Sequence, residues 1–492
     1  MFTPMIDQAI SFFMLNMAWG LDSPPVHSKY YNQHLSTHGF HPVIATCMTA
    51  LGMAGVANIC MDIGLKREST KWYADALKMT NKAIMDPEQV TSDNTLFATM
   101  LLGVFESTTN DKSFVGWANH VSGSASLLRI RGRQQFETPA GRRMWLQVIG
   151  LLTLQCMGMG EGLPSFVHDY NKEVDKWEDT KDPGVRFFHL HIATIELRAR
   201  ILKNKLTDLR TIVDRALELD VGAKEIITDM GKDWSYETEY CDLGTPGVFA
   251  TSYHIYPHLA AAQTWNWIRY TRIYLHDLIR NSLIAGFSTS PPIFAGMEYI
   301  RLLESSTDAL YRMQADIMAS IPQYLHDTPR VPTCYTNDPH QDPLTAPISP
   351  PRDIQNHPST TRSASPASPT SPFSRLGFIM PPSSSPFDRL PVIRVSGGYS
   401  SIWALYIAGA TPIATPESQE FIIHTLLRAS AEFGINQAKL LASTLKLKIE
   451  SDKREGTGMA WHGGLGGKGG SGMGIAPMYM PMAGPHLSRE DG

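Results

Sequence analysis

Trp117-Ala-Asn-His-Val-Ser-Gly-Ser-Ala-Ser-Leu-Leu-Arg-Ile-Arg-Gly132 is the stretch that decides how this chain folds. Trp117, Val121, Ser124, Leu127 and Leu128 recur at steps of three and four residues, the period of one helical face. Gly132 ends the run, and Thr138-Pro139 opens the next helix a few residues later. A capping hydroxyl followed by proline suits a first turn, where no N–H donor is needed. The same punctuation returns at Asp182-Pro183 and Thr415-Pro416. Working outward, Phe2, Met5, Ile6, Ala9, Ile10, Phe13, Met14 and Met17 share a helical face. Lys66 to Met85 reads as a helix stopped by Asp86-Pro87, and Ser92 as the cap of one reaching about Ser107. Pro183 to about Leu219 reads as one long helix or a pair. Tyr256 to Leu283 is aromatic-rich and expected to be deeply buried; Pro291 to Ile321 and Glu417 to about Glu450 are further helical segments. No period-two alternation is long enough for a sheet, and no fixed repeat length marks a solenoid. The expected fold is all-α, a multi-helix bundle of packed antiparallel helices.

Two stretches break this pattern. Residues 328–391 are dense in Pro and Ser, including Ser349-Pro350, Ser365-Pro366, Ser368-Pro369, Ser371-Pro372 and Ser385-Pro386. Proline removes donors and fixes φ, and little there can be buried, so a disordered insert is expected. Residues 451–492, with Gly463-Gly-Leu-Gly-Gly-Lys-Gly-Gly470, carry too much backbone entropy to fold alone and read as a disordered Gly/Met-rich tail. The expected division is a main helical part over 1–327, the insert, returning helices of the same domain over 392–450, and the tail. The insert would then split the domain in sequence and not in space.

Composition excludes several classes. With 492 residues, 43% of them hydrophobic, the chain can bury a sizeable core. A net charge of −4 gives no global attraction to nucleic acid or anionic lipid, and no basic stripe is visible. Cys47, Cys60, Cys156, Cys241 and Cys334 are odd in number and widely spaced, with no Cys-x-x-Cys. Neither a disulfide framework nor a tetrahedral zinc site is supported, and buried reduced thiols are expected. Before the first apolar residues the N-terminus offers Asp7 and no Lys or Arg, unlike a targeting peptide. Val43 to Met61 is uncharged and about as long as a membrane span. Thr46, Thr49, Gly52, Gly55 and Asn58 dilute it, so a core helix is expected and no membrane partner.

No catalytic arrangement assembles. His34, His38 and His41 have ligand-like spacing without a completing Asp, Glu or Cys. His254 and His258 lie four apart, yet Ile255 stands where a zinc-protease helix carries glutamate and Pro257 would interrupt that helix. Gly158-Met-Gly-Glu-Gly162 follows an apolar helix rather than a strand, which fails the dinucleotide-site test. Gly463 to Gly470 lacks the strand and helix of a phosphate loop, and Ser124 lacks nucleophile-elbow flanks. The chain does not read as an enzyme. Arg129, Arg131, Arg133, Arg142 and Arg143 form the densest basic group; it is short, and pairing with carboxylates and carbonyls is expected over DNA contact.

The order of blocks carries a resemblance. Met48-Thr-Ala-Leu-Gly-Met-Ala54, Asn81-Lys-Ala-Ile-Met-Asp-Pro87, Asp93-Asn-Thr-Leu96 and Trp117-Ala-Asn-His120 lead into Leu127-Leu-Arg-Ile-Arg-Gly132 and Phe136-Glu-Thr-Pro-Ala-Gly-Arg142. Far downstream follows Gly397-Gly-Tyr-Ser-Ser-Ile-Trp403-Ala-Leu-Tyr-Ile-Ala-Gly409. Together, over roughly residues 5 to 445, they resemble the fungal-specific transcription factor domain, the helical regulatory half of fungal binuclear zinc-cluster regulators. The six-cysteine module that precedes this half in the family occurs nowhere here. Three explanations stand beside one another: the gene model begins too late, the locus has lost the module, or the regulator works without touching DNA.

The resemblance implies a nuclear transcriptional regulator of RNA polymerase II genes, with shuttling to the cytoplasm compatible with that role. No cofactor is expected, zinc entering only with a missing N-terminal module. Expected partners are proteins of the transcription machinery or a zinc-cluster regulator, a small-molecule effector, and a second copy in a homodimer; DNA would be met only indirectly. The alternative is a non-transcriptional helical module that binds a ligand or a protein. Trp265, Trp267, Tyr270 and Tyr274, with Trp403 and Tyr406 after the insert, are the candidate lining of an effector pocket, against the plainer reading of core packing. Ser365, Ser368 and Ser371 precede proline and are candidate sites for proline-directed kinases, the alternative being an inert linker.

Overall fold

A computed structural model of the chain describes residues 5–16, 41–177, 179–232, 234–257, 259–325 and 394–454. In order these form α1 Met5–Asn16, α2 Pro42–Cys60, α3 Ile63–Met85, α4 Asp93–Thr109 and α5 Val115–Arg131. A 3-10 turn, Arg133–Glu137, leads to α6 Pro139–Met159, α7 Ser165–Val174, α8 Pro183–Leu202 and α9 Leu209–Asp229. A hairpin of β1 Glu237–Tyr240 and β2 Ser252–Ile255 precedes α10 Leu259–Phe287 and α11 Met297–Tyr324. The last three helices are α12 Arg394–Ala410, α13 Pro416–Phe433 and α14 Asn436–Arg454. The fold is all-α.

Helix starts fall where the capping chemistry put them. Thr138 accepts a hydrogen bond from the Gly141 amide at 3.0 Å and Thr415 one from the Ser418 amide at 3.3 Å, each with proline in the first turn. Asp182 accepts from the Gly184 and Val185 amides, and Ser92 from Asn94. Pro183 to Leu219 is a pair, α8 and α9, with Asn204 at φ 54° between them. The segment from Glu417 is also two helices, because Gly434 takes a left-handed φ of 71° after α13. Helix α11 starts at Met297 and not near Pro291.

One feature departs from the sequence reading. The hairpin pairs antiparallel, Glu237 opposite Ile255 and Tyr240 opposite Ser252. Glu-Thr-Glu-Tyr carries no alternating pattern, so four-residue strands leave no periodic signal.

Helix α2 is, among the described residues, the one long and apolar enough to cross a bilayer; 78% of that window is buried, which makes it a core helix. It is surrounded by α1, α3, α4 and α13. A Cβ at Gly52 would overlap the Ala9 carbonyl and one at Gly55 the Phe12 ring, so these glycines let α1 lie directly on α2. Helices α12 to α14 pack back onto the earlier ones. Gln314 on α11 donates to the Ala408 carbonyl at 2.9 Å, and Asn58 donates to the carbonyls of both Thr108 and Gly434 at 2.8 Å. Asn436 donates to Thr109, and Lys439 pairs with Asp111 at 3.1 Å. One apolar cluster runs through the body, from Ile10 to Leu445.

Candidate functional site

The six aromatic residues singled out from the sequence occupy three separate environments. On α10, Trp267, Tyr270 and Tyr274 stand three and four residues apart and so share a face. That face meets α8. Trp267 stacks on Phe187 with centroids 5.9 Å apart, Tyr270 Oη lies 2.9 Å from His191 Nε2, and the Arg198 guanidinium sits 5.4 Å over the Tyr274 ring. Burial drives His191 down to about 3 and raises Tyr274 to about 12, so both stay neutral.

Trp265 lies two positions from Trp267, about 200° round the helix, and belongs to a different cluster. Its Nε1 donates to the Trp234 carbonyl at 2.8 Å, and its ring meets Tyr236 edge-on. One turn on, Arg269 is 1% exposed. Its guanidinium lies 5.0 to 5.7 Å from the rings of Tyr236, Trp265 and Tyr256, donates to Tyr256 Oη and Asn266 Oδ1, and is 3.7 Å from Asp316. Burial opposes the Arg269 charge, but Tyr256 and Asp316 outweigh it and hold the group protonated. Burial, helped by Arg269, pushes the neighbouring His254 down to about 3. Trp403 and Tyr406 are buried on α12; Trp403 packs against Phe114 and Trp117, far from the α10 aromatics along the chain. Only Trp265 and Trp267 of the six reach solvent in part.

A second charged cluster sits between α9 and α10. Asp220, 1% exposed, lies 2.6 Å from Arg272 Nε, 2.7 Å from Lys224 and 3.2 Å from His276. Burial raises the Asp220 carboxyl, yet hydrogen bonds from His276 and Arg272 override it and hold the group well below the usual carboxylate range. Five residues past Arg272, burial lifts Asp277 to about 6. Within this ion network the Asp220 carboxylate is neutralised by Arg272, Lys224 and His276.

Sequence reasoning missed a side-chain hydrogen-bond chain between α3, α4 and α5. Tyr73 donates to Glu106 at 2.6 Å and lies 3.1 Å from His120 Nε2. Beside it is a cavity of about 10 Å³ lined in part by Thr99, Gly103, Trp117, His120 and Ser124, room for about one water. Burial lowers His120 despite Glu106, and raises Tyr73. The helical spacing of Trp117, His120 and Ser124 was a readable signal; their partner Tyr73 was not.

The basic group is spent on structure. Arg131 binds the Thr91 carbonyl and Asp93, Arg142 binds the Phe136 carbonyl and stacks 4.8 Å over Trp177, and Arg143 is buried. Arg129 and Arg133 are exposed. His41 is the residue just before α2, while His34, His38 and His258 lie outside the described residues. Gly160 caps α6 with φ 68°, so that glycine group is a helix end. Burial raises the Cys47 and Cys156 thiols to about 12; Cys334 lies outside the described residues. Among the described residues no three His, Cys, Asp or Glu side chains converge as a metal site needs.

The sequence profile of the fungal specific transcription factor domain matches residues 21–152, which hold α2 to α5 and most of α6. Over those residues the chain is similar to the fungal specific transcription factor domain. No curated protein and no solved structure matches the chain.

Proposed function

We propose that this chain is the control portion of a fungal transcriptional regulator, acting in the nucleus on RNA polymerase II transcription through partner proteins. The observation that carries the reading is the domain match over residues 21–152. The acidic balance of −4 and the internal use of Arg131, Arg142 and Arg143 favour indirect rather than direct contact with DNA. A small effector would meet Trp265 and Trp267 first; Tyr270, Tyr274, Trp403 and Tyr406 are reached only by opening the core. Ser365, Ser368 and Ser371 lie outside the described residues and are proposed kinase sites, which phosphopeptide mapping tests.

Tethering tests the main reading. The full chain is fused to an unrelated DNA-binding domain, placed upstream of a reporter and tagged for imaging. A reporter changed several-fold against the DNA-binding domain alone, with the tag in the nucleus, supports it. An unchanged reporter and a cytoplasmic tag would favour a non-transcriptional binding module instead.

A further inference from the structure

Two patches of opposite character stand out on the surface. The first is the elbow between α2 and α3. Ile59, Met61 and Ile63 are 40%, 86% and 69% exposed, and Cys60 between them is exposed as well. Met61 holds a left-handed φ of 54°, a conformation unusual for a side-chain-bearing residue. Soluble surfaces scatter large apolar side chains singly; a run of them marks a contact. Lys66 and Arg67 follow in the first two turns of α3, both exposed; Asp111 lies within electrostatic reach of Lys66, and no carboxylate pairs with Arg67 among the described residues.

The second patch is the hairpin tip. Its inner strand β2 is seated on the body, with Tyr253, His254 and Ile255 buried. The outer strand β1 is exposed at three of its four positions. Tyr240 and Leu243 are each 80% exposed, and Glu239 and Asp242 flank them with no cation paired to either among the described residues. The base is rigid, since Tyr236 and His254 pack on each other and on the Arg269 cage. Acidic residues on a free strand can simply discourage edge pairing. They do not explain why a tyrosine and a leucine are held out beside them.

We propose that these patches bind each other between two copies of the chain. Tyr240 and Leu243 of one copy seat against Ile59, Met61 and Ile63 of the next, with Glu239 and Asp242 facing Lys66 and Arg67. The chain holds both halves, apolar surface with matched charge. The contact is heterologous, one patch on a different patch, so each copy offers one of each. This gives the self-association expected of a regulator a defined surface, but it rests on the two patches and not on the transcriptional reading.

Sedimentation of the full chain over a concentration series tests it, using Glu239→Lys/Asp242→Lys and Lys66→Glu/Arg67→Glu. The wild type is expected to associate, more weakly as salt rises. Each variant alone should lose association at least tenfold, because its altered patch faces like charge. Mixed in equal amounts, the two variants should associate again, since each restores the other's complement. Lys66, Arg67 and Asp242 are solvent-facing and Glu239 is half-buried, so circular dichroism and melting, checked on each variant first, should match wild type; Tyr240→Ser, with no charge change, should weaken association as well. A wild type that stays monomeric at its highest soluble concentration overturns the proposal. So does association indifferent to both reversals, or variants that remain apart when mixed. Reporter activity is read separately, so loss of this contact leaves the transcriptional reading standing.

Discussion

Helices α4 to α6 and helices α9 to α11 are built on different principles. Around Trp145 on α6 the packing is apolar: Trp145, Val148, Ile149 and Leu128 are at 0% exposure, and Phe136 and Tyr170 pack on Trp145 edge-on and tilted. Around α10 the interior holds whole charges, Arg269 in its aromatic cage and Asp220 between Arg272, Lys224 and His276. The first region gains stability roughly in proportion to the apolar surface removed from water. The second sets Coulombic attraction against the desolvation of each ion, a near-balance that collapses when one partner is removed.

That contrast can be broken. Asp220→Asn should cost about 3–5 kcal/mol in denaturant unfolding, because Arg272 is left buried beside a neutral amide. Replacing both, Asp220→Leu with Arg272→Met, should cost much less. Equal losses for the single and double variants would mean that the cluster contributes by shape alone. In the apolar region no such asymmetry exists, and Trp145→Ala should cost about 3–5 kcal/mol with no single substitution nearby to restore it.

Acidity sharpens the comparison. Asp277 has a folded value of about 6 against 3.8 for the ordinary carboxyl, so the folded state binds more protons between these limits. Stability from this group is complete below about pH 4 and lost as pH rises through 6. Asp277→Asn should therefore raise stability at pH 7, by about 1–3 kcal/mol, and flatten that part of the profile. His191 and His254 act in the opposite sense: both are held near 3, so the unfolded chain gains protons first and stability falls as pH drops below 6.5. Melting curves of Asp277→Asn and His191→Gln across pH 4 to 7 separate the two slopes.

The smallest effects belong to a close helix contact and to a helix end. Gly52→Ala should cost about 1–3 kcal/mol by forcing α1 off α2, and Thr415→Ala about 1 kcal/mol by removing the cap of α13. Differential scanning calorimetry resolves both.

What the sequence made legible follows from range. Thr138-Pro139, Asp182-Pro183 and Thr415-Pro416 marked helix starts because a cap and the first turn are neighbours in the chain. The hairpin escaped because Glu237 to Tyr240 is too short to show a period. The candidate aromatic set was readable as a composition but not as a place. Trp265 and Trp267 point to different sides of α10, and their partners Tyr236 and Phe187 come from other elements. The Arg269 cage joins positions 236, 254, 256, 265 and 316, a convergence no local pattern encodes. Tyr73 with His120 is the same case, two helices meeting at one hydroxyl.

Asn58 ties α2 at once to Thr108 and to Gly434, a residue 376 positions later. During synthesis, α2 would therefore wait on the order of tens of seconds before α13 leaves the ribosome. For that interval the nascent chain holds its most apolar helix without its last cover. Growing cells would meet it as a client for chaperones, and a ribosome stalled before the final helices would release a polypeptide marked for degradation.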